Sequence, residues 1–171
     1  ITGSNSYMLS GELATYLTGR YMQIYMLPLS FKEYLEYYGS EDVDKKYNSY
    51  INNGGFPYLV NLNNDEELIR NYLSGVYNTV ILKDVVYRNN IKDNMILDSI
   101  IKFVFSNIGQ LVSTNKIANT LVSNNRNCSV NTVESYLSYL VDSYILYRIT
   151  RYDIKGKEYL KTGIVAYFIN I

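Results

Sequence analysis

The spacing of apolar residues changes near Gly109, and this change limits the folds open to the chain more than any other feature. Before Gly109 the apolar residues recur three and four positions apart, which is typical of helices. After it, two helical segments are followed by two runs with the character of strands, YILYRIT and GIVAYFINI. The sequence therefore predicts a mainly α-helical chain with small β elements.

The first part of the chain carries clear helix boundaries. Ser30 is a good N-cap, Glu33 completes a capping box, and Gly39 is expected to end that helix. Further helices are expected from about Ser10, over 42–52, over 64–88 and over 95–107. The run YMQIYM at 21–26 is apolar on both faces and predicts a short buried strand that Pro28 ends. The run NNGGFP predicts a turn in which Gly54 and Gly55 can take positive φ.

Charge and cysteine content exclude several classes of protein. Sixteen basic and sixteen acidic residues cancel, although residues 1–93 hold eight against eleven and residues 94–171 hold eight against five. A single cysteine, Cys128, rules out an internal disulfide framework and favours a cytoplasmic location. Because the chain has no histidine, no histidine-ligated metal is expected within it. No apolar run is long enough to span a bilayer, so no membrane association is expected.

The C-terminal half has the layout of a winged helix-turn-helix. A short helix is expected from Ser113 or Thr114, and a second helix is capped by Ser129. Together with the helix over 95–107 and the two strands, the order is three helices, a strand, a turn and a strand. We therefore assign residues 94–171 to a winged helix-turn-helix.

A winged helix raises the question of DNA binding, and the residues leave it open. The helix expected to enter the groove contains no Lys or Arg, although phosphate contacts need cations. The stretch after it offers a modest basic patch that could contact nucleic acid: Arg148, Arg151, Lys155, Lys157 and Lys161. DNA binding through this basic wing and a docking or structural role both remain open.

No complete catalytic or nucleotide-binding motif occurs in the chain. There is no GxxxxGK[ST] phosphate loop. The acidic clusters Asp42–Asp44 and Asp65–Glu67 lie at helix starts and are expected to act as caps. Cys128 has no histidine to activate it, so a catalytic thiol is not expected.

The order of several runs resembles a known family. These runs are ITGSNSYMLSGELATYLTGRY, LPLSFKEYL, NNGGFP, YLSGVYNTVILKDVVYRNNIKD and SNIGQLVSTNKIANTL, followed by SVNTVESYLSYLVDSYILYRITRYD. Together they resemble the predicted ATPases of the AAA+ superfamily that are common in bacteria and archaea. The resemblance covers essentially the whole chain and implies a C-terminal part that lacks the Walker A and B motifs. It implies an ATPase core remnant over 1–29, a helical lid over 30–93 and the winged helix over 94–171.

The resemblance also implies roles for particular residues. Thr2, Ser4 and Asn5 cover the sensor-1 region, where a polar side chain would orient the attacking water. Arg20 falls where such proteins place an arginine finger, which stabilises charge on the transferred phosphoryl group. The intact protein would use ATP and Mg²⁺ and move the lid and winged helix, and it could self-associate or meet other subunits. This chain alone is expected to hold no cofactor and to be inactive. The alternative is a nucleic-acid-binding winged-helix regulator, or a docking module, without ATPase activity.

Overall fold

The computed structural model describes residues 15–16, 20, 22, 24–150 and 164–169. The prediction of a mainly α-helical chain with few small strands is confirmed. Six α-helices lie wholly in the described part, in addition to the helical residues 15–16: α1 (Phe31–Tyr38), α2 (Val43–Asn53), α3 (Glu66–Thr79), α4 (Asn94–Phe105), α5 (Thr114–Ser123) and α6 (Val130–Asp142). A 3₁₀-helix spans Pro57–Leu62, and a π-helix continues α3 over Val80–Tyr87. The strands are β1 (Val112–Ser113), β2 (Leu146–Thr150) and β3 (Ile164–Ile169).

Helix α1 begins and ends as its sequence predicts. The Ser30 amide donates to Glu33 Oε2 at 2.8 Å, and the Glu33 amide donates to Ser30 Oγ at 3.4 Å, so the capping box is confirmed. Gly39 takes a φ of 81° as the C-cap. The Lys46 ammonium adds a cap that the sequence did not reveal, because its Nζ donates to the carbonyls of Tyr38 and Gly39 at 2.8 and 2.7 Å. The Lys46 side chain therefore ties α2 to the C-terminal end of α1 across the short turn that connects them.

The acidic cluster before α2 does not act as predicted. Asp42 is the N-cap residue, but its φ is 51° and its side chain makes no capping hydrogen bond. A left-handed backbone aims the side chain away from the first-turn amides, which the usual extended N-cap would reach. At α3 the prediction is confirmed, since Asp65 Oδ1 accepts from the amides of Glu67 and Leu68 at 3.0 and 3.1 Å.

The two glycines of NNGGFP serve different purposes. Gly54 takes a φ of 79° and ends α2, as predicted. Gly55 does not have a positive φ, so that part of the prediction is wrong. Its role is steric: a Cβ there would lie 2.3 Å from the Leu29 carbonyl oxygen. The Gly55 carbonyl also accepts from the Leu29 amide at 2.7 Å, and Tyr50 Oη donates to the Leu29 carbonyl at 2.7 Å. Residue 29 is thereby held against the end of α2.

The predicted strand over 21–26 is absent among the described residues of that run. Residues 22 and 24–26 belong to no strand, and their side chains are largely exposed, with Met26 at 90%. An extended run needs a neighbouring strand to pair its amides and carbonyls. The described residues place no strand beside it.

A single large apolar core lies in the C-terminal part. It is built by α4, α5, α6 and the start of β2, with Ile100, Val133 and Leu140 completely buried. Residues from before α4 join it: Val85 is completely buried in this core, and Ile81, Val86 and Ile91 pack against it. The core therefore includes the C-terminal end of the long helix over residues 66–87.

The three strands form one antiparallel sheet in the order β1-β3-β2. Val112 pairs with Val165, and Leu146 pairs with Ile169. Val112 and Leu146 are buried, so the sheet closes one side of the core. Ser113 caps α5 and Ser129 caps α6, each hydroxyl accepting an amide at 3.1 Å, as the sequence predicts.

Candidate functional site

The residues that the resemblance links to ATP hydrolysis lie mostly outside the described part. Thr2, Ser4 and Asn5 fall within residues 1–14, of which the structure gives no description. Arg20 is described, and its side chain is exposed on a bend between Tyr16 and Met22.

The basic stretch is described only at its first member. Arg148 lies in β2, opposite Tyr167 of β3, and its side chain is exposed. Arg151, Lys155, Lys157 and Lys161 belong to the connection between β2 and β3 and lie outside the described residues. By chain position they follow the antiparallel strand that carries Arg148.

Helix α6 lies beside this strand, and its exposed polar side chains are either neutral or acidic. Asn131, Glu134, Ser135 and Ser138 are exposed. Glu134 Oε1 accepts from Thr114 Oγ1 at 3.3 Å and so ties the start of α5 to α6. Because α6 has no Lys or Arg, any phosphate contact in this region would fall to the residues of the sheet.

A groove that the sequence did not indicate runs between α4 and α5. Its volume is about 330 Å³, within the range of small-ligand pockets. Two cations, Lys102 and Arg126, are part of its lining. The sequence pattern could not predict this groove, because a groove between two helices depends on the distance and crossing angle between them and not on the sequence of either helix alone.

Neither a reactive thiol nor a metal cluster is found in the described ranges. Burial, and then the nearby Asp93 carboxylate, raise the pKa of the Cys128 thiol above its usual 9.0, so the sulfur stays protonated at neutral pH. No group of three His, Cys, Asp or Glu side chains there is placed to hold a metal ion. No helix among the described residues is long and apolar enough to cross a membrane.

The described part of this protein belongs to the class of mainly α-helical domains: its core is built largely by three helices, and a small antiparallel sheet closes one side of that core. The chain belongs to the family described as Domain of unknown function (DUF8612), whose match covers residues 44–171. Residues 1–35 match a second family, described as AAA domain.

Curated relatives extend beyond this chain. An uncharacterized protein of Haemophilus influenzae is 46% identical over 173 residues, covering 99% of this chain and 42% of the relative. An uncharacterized protein of Methanocaldococcus jannaschii is 34% identical over 175 residues, covering 92% of this chain and 38% of the relative. The chain thus spans about two fifths of the length of these relatives. No solved structure matches the chain.

Proposed function

We propose that this chain is the C-terminal part of an AAA+ ATPase in which ATP hydrolysis moves a helical lid and a winged helix. The observation that carries the proposal is the AAA-domain match over residues 1–35, a span that includes Arg20 and runs into α1. The two longer relatives support it, because they leave room for a nucleotide-binding region in the whole protein. In this proposal residues 1–29 end the ATPase core and residues 30–93 form the lid.

The described residues of this chain do not fit ATP and Mg²⁺ by themselves. The sequence has no GxxxxGK[ST] loop, and the described carboxylates form no group that could hold a metal ion. We therefore assign both ligands to the whole protein. Within it, Arg20 would stabilise the negative charge that develops on the transferred phosphoryl group, and Thr2, Ser4 or Asn5 would orient the attacking water.

An ATPase assay on the whole protein tests the role of Arg20. Loss of an arginine finger costs roughly 10³-fold or more in kcat, so Arg20→Ala is expected to lower turnover by about that factor. Lys32→Ala is the matched control, since Lys32 is an exposed cation on α1 with no assigned role. Wild-type turnover in the Arg20 variant would remove that residue from the mechanism. No turnover in the wild-type whole protein, with Mg²⁺ present, would contradict the ATPase itself.

We also propose that residues 94–171 form a winged helix that contacts DNA weakly through its sheet. Helices α4 to α6, the strand between the first two of them and the sheet order β1-β3-β2 support the winged-helix assignment. The exposed Arg148 on β2 supports the contact, whereas the cation-free α6 argues against deep binding in a groove.

A gel shift on duplex DNA at low and moderate salt tests this second proposal. Binding that weakens steeply with salt, and weakens further in Arg148→Ala, is the expected result. Lys116→Ala, which removes an exposed cation from α5, serves as the control. If no duplex binds at low salt, the unit has a docking or structural role instead.

A further inference from the structure

Residues 22–27 carry the longest exposed apolar run in the described part of the chain. The exposed fraction is large at each described position: Met22 82%, Ile24 72%, Tyr25 68%, Met26 90% and Leu27 66%. Elsewhere in the described ranges, no two adjacent residues both expose a large apolar side chain. An exposed apolar patch of this kind commonly marks a surface that contacts another part of a protein or a partner.

Both sides of this run are apolar. Met22, Ile24 and Met26 alternate along the chain with Tyr25 and Leu27, and both sets are exposed. A segment at the surface of a folded domain normally turns polar residues to the solvent, whereas a run that is apolar on both sides is typical of a segment covered on both sides. The composition of the run is therefore that of a protein interior.

The described part of the chain does not supply that cover. The C-terminal core includes none of residues 22–27. Burial, and then the nearby Tyr25, raise the pKa of Tyr144, which places Tyr25 close to the turn before β2. Tyr25 nevertheless stays 68% exposed, so this contact leaves the run open.

The end of the run is fixed to the helical part at residue 29. The Leu29 amide donates to the Gly55 carbonyl at 2.7 Å, and Tyr50 Oη donates to the Leu29 carbonyl at 2.7 Å. Pro28 lies between this anchor and the run, and it disfavours a helical backbone at the residue before it. The apolar side chains of residues 22–27 are therefore presented at a defined place next to the start of α1.

The remainder of the AAA domain is the occupant best supported for this surface. The AAA-domain match over residues 1–35 includes the whole run. A segment of that length is too short to bury an apolar core of its own, since chains below about 40 residues rarely fold without a disulfide, a metal or a partner. The chain spans about two fifths of the length of its two longer relatives. Most of the AAA domain would therefore lie in the part of the whole protein outside this chain.

We infer that residues 22–27 are the surface by which this chain packs against the rest of the AAA domain in the whole protein, with apolar partners on both sides of the run. No charged residue lies between Arg20 and Lys32, so the run suits an apolar surface and not nucleic acid or an acidic peptide. The inference rests on the assignment of residues 1–29 to the ATPase core in the proposed function, but it requires no ATP hydrolysis.

Mild oxidation with hydrogen peroxide tests the inference, because three exposed methionines report on different surfaces. Met22 and Met26 lie in the run, and Met95, which is 68% exposed, lies on α4. In this chain all three are expected to form sulfoxides at similar rates. In the whole protein Met22 and Met26 should react at least about tenfold more slowly than in this chain, while Met95 keeps its rate. Peptide mass spectrometry measures each rate.

A charged substitution in the run gives a second test. Met26→Lys should leave the Tm of this chain unchanged, because the Met26 side chain is almost fully exposed in it. In the whole protein the same substitution should lower the Tm by several degrees, since the lysine ammonium would be buried without a partner. Met95→Lys is the matched control and should change the Tm little in either protein.

Three results would overturn the inference. These are equal oxidation rates of Met22 and Met26 in the two proteins, equal slowing of all three methionines in the whole protein, and a wild-type Tm for the Met26→Lys variant of the whole protein. Protection that appears in this chain as its concentration rises would assign the run to a second copy instead. ATPase turnover is measured separately: protected methionines without turnover would contradict the ATPase alone, and turnover with unprotected methionines would contradict only this inference.

Discussion

Gly55 lies so close to Leu29 that a side chain cannot be accommodated without a backbone shift. A Cβ would meet the Leu29 carbonyl oxygen at 2.3 Å and the Tyr50 ring at 3.2 Å. We expect Gly55→Ala to lower the free energy of unfolding by about 1–3 kcal/mol, measured by urea denaturation, because backbone must move to relieve the contact. Gly75→Ala is the control, since no atom lies within 4 Å of its Cβ. In a helix interior that change should stabilise by up to about 1 kcal/mol. Equal effects of the two substitutions would contradict the steric role of Gly55.

The capping box of α1 predicts a dependence on pH. The Ser30 hydroxyl, and then the Ser30 amide, donate hydrogen bonds that hold the pKa of Glu33 below its usual 4.5. Stabilisation by the carboxylate is therefore present above pH 4.5 and is lost as the pH falls through the lower pKa of the folded state. Glu33→Gln keeps a capping side chain but cannot titrate. Its Tm should differ from wild type most at neutral pH and least in acid, and a difference that grows in acid would contradict this assignment.

Most helix boundaries could be predicted from single residues, but contacts between residues that are distant in the sequence could not. Ser30, Ser113 and Ser129 cap helices because a side chain reaches an amide three residues away, which is visible in sequence. The Lys46 cap on α1, the contact of Gly55 and the groove beside Arg126 each involve a partner elsewhere in the chain. The run at 21–26 has the composition of a strand, yet pairing decides whether it forms one. Of the predicted site residues, only Arg20 and Arg148 lie in the described part, so their joint geometry stays a prediction.

The helix that begins at Glu66 changes character along its length. Its first part, α3, packs on the 3₁₀-helix, where the rings of Tyr58 and Tyr72 lie 4.8 Å apart. Its π-helical continuation enters the C-terminal core through Val85, and the Asp84 carbonyl lies 3.5 Å from Ser143 Oγ, a hydroxyl that donates to the Tyr139 carbonyl at 2.8 Å. The sequence predicted the extent of this helix but not the wider turns, which are rare and often found at functional sites.

A substitution at Val85 tests whether the π-helical segment contributes to the C-terminal core. Because its side chain is completely buried, Val85→Ala is expected to cost about 2 kcal/mol of unfolding free energy, measured by chemical denaturation. Val122→Ala is the control, since Val122 is an exposed valine on α5 and should change stability by less than about 0.5 kcal/mol. If the two variants lost the same stability, the π-helical segment would not be part of the core.

At the scale of the whole molecule, the buried Cys128 thiol can report how often the C-terminal core opens. Cys128 is the chain's only cysteine, is buried with the core, and its raised pKa keeps the thiol protonated. We expect slow modification by iodoacetamide at pH 8 in the native chain and fast modification in urea. Val85→Ala should speed native-state modification, since it destabilises the same core. Rapid modification of the wild-type chain would show that Cys128 is not protected by that core.

The helix over residues 66–87 links the 3₁₀-helix to the C-terminal core. The 14 residues of α3 and the eight of the π-helical segment extend about 30 Å; the first part packs on the 3₁₀-helix and the last part is buried in the C-terminal core. Rotating this helix by about 10° about its Glu66 end would displace its Tyr87 end by about 5 Å if the helix stays straight. A rotation of that size at the Glu66 end would therefore reach the C-terminal core as a shift of nearly one helical turn.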